Sequence, residues 1–231
     1  MFRERGGRTS NGPLRLAVFD MDGVLVDHLS SWAVVHDALG TDNTDALVAF
    51  MEGRIDDRQF IRRDVALWRS RRPDLSEAEL LAILAPTPRM PGMREAIRSL
   101  RAQGTKCAIV SGGLRPLAEL VAREGGFDTV RANGVCFGPD GRLADDARIE
   151  VPLRAKGEVV RAIQEELGVG PADTGAVGDS AFDRGLFERS RVSVAFNPVD
   201  DEVARAATHA VWGKDLRAAV APLIDGARVL R

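Results

Sequence analysis

Four short apolar runs punctuate the chain, and each ends on polar or glycine residues. Residues 14–19 run into Asp20, 106–110 into Ser111-Gly112-Gly113, 174–177 into Gly178-Asp179, and 192–196 into Asn197-Pro198. Runs of this length without polar alternation fit strands buried on both faces. Helical spacing of apolar positions fills the intervals 92–103, 114–123, 155–167 and 181–189. Strands alternating with helices predict an α/β fold, a parallel sheet with helices on both faces. Ligands bind such sheets at the carboxyl ends of the strands. Asp20, Ser111 and Asp179 are therefore expected to converge.

The stretch 28–88 breaks this rhythm and reads as helices only, over 30–39, 45–51, 57–71 and 76–84. Ser76 followed by Glu79 is a capping-box pattern. Pro86 and Pro88 close the stretch. It predicts a small all-helical cap over the ligand end of the sheet. The expected organisation is a loose tail over 1–13, a core over 14–27 and 89–231, and the cap over 28–88. Asp140-Gly141 between short extended runs signals a hairpin over 135–143.

Composition narrows the class. With 231 residues, 45% hydrophobic and 29% charged, the chain suits one large globular domain or a core with an insert. A collagen, a disordered tail and a disulfide scaffold are excluded. The 32 basic and 34 acidic residues leave a net charge of −2, so nothing electrostatic points to nucleic acid or an anionic membrane. The two cysteines make neither a disulfide framework nor a metal cluster. Cys107 reads as a buried small hydrophobe. No run approaches the ~20 apolar residues of a membrane span, and the N-terminal residues lack the apolar middle of a signal peptide, so a cytoplasmic home is expected. Of the basic residues only Lys106, Lys156 and Lys214 are lysine. Each lysine is therefore more informative than an arginine, because only some sites need an ammonium point charge.

Chemistry concentrates at the predicted strand ends. In Asp20-Met21-Asp22-Gly23 two carboxylates two apart share a face, one suited to nucleophilic attack and one to acid–base work beside a cation. Ser111-Gly112-Gly113 opens backbone N–H groups to an oxyanion before a helix N-terminus, although such a triplet is more often only a turn. Lys156 in a first helical turn opposes the helix dipole, and neutralising a phosphoryl group supplies a reason for it. Asp179 and Asp183 bring two more acids, an oxygen-rich set suited to Mg²⁺.

These four motifs, in this order and with an insert after the first, resemble the haloacid dehalogenase superfamily of phosphatases over about residues 14–220. The phosphoserine phosphatases are the most similar subgroup, on Met51-Glu52-Gly53-Arg54, Thr87-Pro88, Pro91-Gly92, Ser111-Gly112-Gly113 and Ala132-Asn133. The resemblance implies a Rossmann-like core with a helical cap. It implies Asp20 as nucleophile and Asp22 as acid and base. It implies Mg²⁺ held by Asp20, the backbone carbonyl of Asp22 and Asp179, with Asp183 supporting the metal site. Ser111, Gly112 and Lys156 would grip the phosphoryl group. The implied activity is Mg²⁺-dependent hydrolysis of a small soluble phosphomonoester through an aspartyl phosphate, by a monomer or a homodimer. A phosphotransferase or mutase, and a binding protein that has lost turnover, are the competing readings.

Departures from the subgroup lie mainly in the cap. Leu29 or Ser30 stands where the subgroup holds a substrate ammonium with glutamate. Asp64 stands where it holds a substrate carboxylate with arginine, and Asp57 shares its helical face. The pair points to a substrate without a carboxylate, or to a cationic phosphoester. In the core, Phe182 replaces an asparagine and Gly23 a frequent serine. Arg62, Arg63, Arg69, Arg71 and Arg72 read as a solvated face, Trp32 and Trp68 as cap core, and His28, His36 and His209 as no ligand set.

Overall fold

The computed structural model describes residues 12–225; nearly all of the expected 1–13 tail lies outside them. Seven strands form one sheet: β1 (Leu16–Phe19), β2 (Lys106–Leu114), β3 (Thr129–Phe137), β4 (Leu143–Arg148), β5 (Thr174–Gly178), β6 (Val192–Phe196) and β7 (His209–Val211). Their order is β4-β3-β2-β1-β5-β6-β7, parallel except for β4, which runs antiparallel to β3 and closes the expected hairpin. β1 lies between β2 and β5, with Phe19 opposite both Ile109 and Val177. The chain leaves β1 in one direction and returns to its other side, so the crevice beyond its carboxyl end is the topological switch point.

Alternation along β1 builds two core layers. Leu16 and Val18 pack with Val160 and Ile163 of α7 (Lys156–Leu167) and with Leu186 and Phe187 of α8 (Arg184–Glu188). Ala17 and Phe19 face the opposite layer. There Ile97 of α5 (Met93–Arg101), Leu117 of α6 (Arg115–Gly125) and Val220 of α10 (Leu216–Asp225) close the core.

Between β1 and α5 lie only helices: α1 (Ser31–Leu39), α2 (Thr44–Met51), α3 (Asp57–Arg71) and α4 (Glu77–Leu84). They form the inserted helical cap. Asp56 with Gln59, and Ser76 with Glu79, both make complete capping boxes, which satisfy N–H groups that a helix start leaves orphaned. Trp68, Val65 and Ile61 turn one face of α3 into cap core.

Three expectations needed correction. β2 runs on through Ser111-Gly112-Gly113 to Leu114, with a register shift against β3, so the triplet is bulged strand rather than turn. The helix expected over 181–189 opens as a 3₁₀ turn, Ala181–Asp183, because the Asp183 carboxylate folds back onto Ser180. The arginines of α3 are not merely solvated: Arg62 pairs with Asp145 on β4 at 2.8 Å, and Arg58 pairs with Asp146. β7 and α9 (Asp201–Ala206) were not anticipated.

Candidate active site

Asp20 follows β1 directly, its N–H bonded to Val177 of β5. One carboxylate oxygen, Oδ1, accepts the Met21 N–H at 2.7 Å, and Oδ2 accepts from Lys156 Nζ, also at 2.7 Å. The same ammonium donates to Asp183 Oδ1 at 2.7 Å. Asp183 Oδ2 accepts the N–H groups of Asp179 and Ser180 and the Ser180 hydroxyl. Both Asp183 oxygens are thus engaged in fixing other groups. The carboxylate of Asp179, by contrast, accepts no hydrogen bond among the described residues. Oxygens of Asp20, Asp179 and Asp183 lie within 4.8 Å of one another, all three residues buried.

Burial sets the electrostatics. Desolvation drives the Asp20 carboxyl up to about 7 against the pull of Lys156, with Asp183 adding to the rise. It drives Asp179 up to about 9, helped by the charges of Asp20 and Asp183. Burial opposes the charge on Lys156, yet Asp183 and Asp20 together hold its pKa above the ordinary lysine range. Three buried carboxylates facing one ammonium leave negative charge uncompensated in a low-dielectric pocket. The donors are hard oxygens and one carboxylate is free. That set fits a small divalent cation such as Mg²⁺, whose charge inverts the local balance.

Asp22 is held from the cap. Its Oδ2 accepts the N–H and hydroxyl of Ser31, at 2.9 and 2.8 Å, while Oδ1 is buried and unpartnered. Desolvation lifts its carboxyl to about 6, against those two Ser31 hydrogen bonds. Ser31 also accepts the Leu114 N–H at 2.9 Å, tying the start of α1 to the end of β2. The sequence reading missed Ser31, because a serine at a helix start reads as a cap. In fact Ser30 is the cap, donated to by the Ala33 N–H.

Ser111 and Gly112 line the cavity beside Asp20, and Lys156 contacts Asp20 directly. Ser111 is buried, its hydroxyl accepts the Gly113 N–H, and it also reaches Asp20. Trp32 is more than cap core: it stacks on Trp68, but its indole N–H donates to the Gly112 carbonyl at 3.0 Å. Asn133 braces the loop before α7, accepting from Glu150 and Val151 N–H and donating to the Val151 carbonyl. The departure at Gly23 has a steric reason. Its φ is +74°, and a Cβ there would stand 2.1 Å from Asp179 Oδ2, so serine does not fit this arrangement. Phe182 meets Phe50 of the cap, ring centres 6.2 Å apart.

A cavity of about 350 Å³ lies between these groups and the cap. Asp57 and Asp64 both line it, but their situations differ. Asp57 Oδ1 accepts the Leu153 N–H at 2.9 Å, a bond from cap to core. Asp64 is 1% exposed, and only its Oδ1 is engaged, by Asn43 Nδ2 at 2.9 Å.

Residues 17–188 match the family model of the haloacid dehalogenase-like hydrolases. The chain belongs to the haloacid dehalogenase-like hydrolases. Within that family it is phosphoserine phosphatase-like, a phosphoric monoester hydrolase. It is 30% identical over 214 residues to the phosphoserine phosphatase of Wolinella succinogenes, covering 91% of this chain and all of that one. It is also 30% identical to the phosphoserine phosphatase of Methanocaldococcus jannaschii, covering 79% and 85%. Other relatives are longer, and the match spans 47% of the Streptomyces coelicolor phosphoserine phosphatase. A solved substrate-bound phosphoserine phosphatase complex superposes with a TM-score of 0.75 at 26% identity, covering 88% of this chain and 95% of that one. A phospho-aspartyl intermediate analogue of a phosphoserine phosphatase gives the same TM-score and identity, over 89% and 96%. No helix among the described residues is long and apolar enough to cross a membrane.

Proposed function

We propose that this hydrolase cleaves a small phosphomonoester through a phosphoryl group carried on Asp20, with Mg²⁺ held by Asp20, Asp179 and the backbone carbonyl of Asp22. We take residues 28–88 as the cap and 14–27 with 89–231 as the core. The observation that carries the reading is Lys156 Nζ at 2.7 Å from both Asp20 and Asp183, beside an Asp179 carboxylate that accepts no hydrogen bond among the described residues.

Mg²⁺, when bound, neutralises phosphoryl charge and helps align the group for in-line displacement. The chain's own residues do the rest. An Asp20 oxygen forms a bond to phosphorus as the bond to the leaving oxygen breaks. That oxygen takes a proton from Asp22 Oδ1, the atom left unpartnered while Ser31 fixes Oδ2. Asp22, now a carboxylate, takes a proton from a water that attacks phosphorus, and the bond to Asp20 breaks. Ser111 and the Gly112 backbone steady the phosphoryl oxygens, and Lys156 keeps Asp20 ionised. Asp183 positions Lys156 and the 179–180 backbone. The phospho-aspartyl analogue of a protein 26% identical to this one supports the covalent step.

The test is phosphate release from 4-nitrophenyl phosphate with Mg²⁺ and no added acceptor. Asp20→Asn should lower kcat by on the order of 10³-fold or more while circular dichroism and Tm stay native. Release that requires an acceptor alcohol would favour phosphotransfer. Substantial turnover in Asp20→Asn would remove the covalent route.

A further inference from the structure

The organic part of the substrate must lie in the cavity beyond the phosphoryl site, against the cap. Trp32, Leu47, Phe60 and Ile61 make that wall largely apolar, with Asn43 and Asp64 among its polar members. Every ionisable side chain lining the cavity is an aspartate, and no lysine, arginine or histidine among the described residues lines it. A substrate carboxylate would be buried there without a counter-charge, which is costly.

Asp64 is the feature to explain at the far wall. Like Asp22 Oδ1, its Oδ2 is buried and has no hydrogen-bond partner among the described residues. Its other oxygen is supplied from behind. Asn43 donates to Oδ1, and His36 Nε2 stands 3.2 Å from it, off hydrogen-bond alignment. Trp68 Nε1, which can only donate, points at His36 Nδ1 at 3.2 Å, and Thr41 Oγ1 lies 2.7 Å from the same nitrogen, so Nδ1 serves as acceptor and Nε2 is the ring nitrogen that faces Asp64. The cap core thus fixes the orientation of this carboxylate at the cavity wall and leaves one oxygen buried without a partner. Native interiors rarely leave a buried carboxylate oxygen unsatisfied, and a ligand, an ion or a water completes it. Asp57 differs: it is only half-buried, and neither of its oxygens is a buried orphan.

We propose that Asp64 is a specificity-determining residue: its Oδ2 receives a protonated amine on the substrate, an aminoalkyl phosphate or similar cationic phosphomonoester with no carboxylate. This rests on the phosphatase reading above. The apolar wall carries the methylenes between phosphate and ammonium, and Trp32 adds an aromatic neighbour suited to a cation. The match with phosphoserine phosphatases then extends to the chemistry and not to the far end of the substrate.

The experiment compares kcat/KM, by phosphate release, for three series of two to six carbons: ω-aminoalkyl, n-alkyl and ω-carboxyalkyl phosphates, with 4-nitrophenyl phosphate as reference. A hydrogen bond to a charged group discriminates by roughly 10- to 100-fold. The amine series should exceed the alkyl series by that factor at one chain length, with the carboxylates slowest. In Asp64→Asn the amine-to-alkyl ratio should collapse to about one, a ratio within one protein that a general loss of folding does not move. Equal rates for amines and alkyls at every length in the wild type would overturn the proposal, whatever the variant does. So would a ratio that survives in Asp64→Asn. No turnover of any compound, 4-nitrophenyl phosphate included, would instead sink the phosphatase reading beneath it.

Discussion

Ser31 carries as much of the site's geometry as the aspartates do, although it transfers nothing. It donates twice to Asp22 Oδ2 and accepts from Leu114, so it fixes which Asp22 oxygen is free. Removing one such contact lets a catalytic group wander, and a displacement of about 1 Å costs up to about 10²-fold in rate. Ser31→Ala should therefore lower kcat by roughly 10- to 100-fold for alkyl phosphates and much less for 4-nitrophenyl phosphate, whose leaving group needs little protonation; steady-state kinetics on the two substrates check the split. Asp179 makes a second prediction at this scale. Its unpartnered carboxylate among buried acids should make Mg²⁺ stabilising. At about 100 Kd of metal the gain is ~2.7 kcal/mol, or about 5–10 °C in Tm for a chain of this size. Thermal scans with and without Mg²⁺ should show that shift in the wild type and lose it in Asp179→Asn. The aspartates and Lys156 were legible in sequence because each closes or follows a recognisable element. Ser31, Asn43 and His36 were not, since their roles exist only once α1, α2 and α3 pack together.

Elements with their own local signals stood out; those held by neighbours did not. Helix α3 spans the predicted residues because Asp56, Gln59 and a clear apolar stripe specify it. Strand β7 has three residues and none is fully buried, so its place depends on pairing with β6. The bulged end of β2 looked like a turn because its glycines are there for close approach: a Cβ on Gly113 would meet Asp22 Oδ2 at 2.6 Å. Helix α4 allows a pH test. Backbone and hydroxyl hydrogen bonds from Ser76, and then Arg72, lower the Glu79 carboxyl to about 2. A carboxyl lowered in the folded state stabilises above its unfolded pKa and loses that contribution as pH falls. The Tm difference between wild type and Glu79→Gln should be full at pH 7 and vanish as pH drops from about 4.5 to about 2.

At the scale of the molecule, cap and core share one apolar cluster, in which Val35, Leu80 and Leu84 join Leu114 and Leu117, and polar contacts pin the cap around it. Arg58 and Arg62 reach Asp146 and Asp145, Asp57 holds the Leu153 N–H, and Arg154 donates to the Phe50 and Met51 carbonyls. Half-exposed ion pairs contribute only about 0–1 kcal/mol each, and salt at about 1 M screens them beyond about 3 Å. The double variant Asp145→Lys/Asp146→Lys should leave Tm nearly unchanged, raise KM several-fold and expose the joints near residues 28 and 88 to protease; high salt should reproduce the effect in the wild type. The hydrogen bonds of Ser31 add a further tie between cap and core. The first residue of α1 both grips Asp22 and touches the core strand, so on the mechanism proposed above a raised cap would release the proton donor in the same stroke. On that mechanism, a phosphoester reaching Asp20 under a raised cap would meet an acid that Ser31 no longer holds, and idle hydrolysis of passers-by would be suppressed without any separate gate.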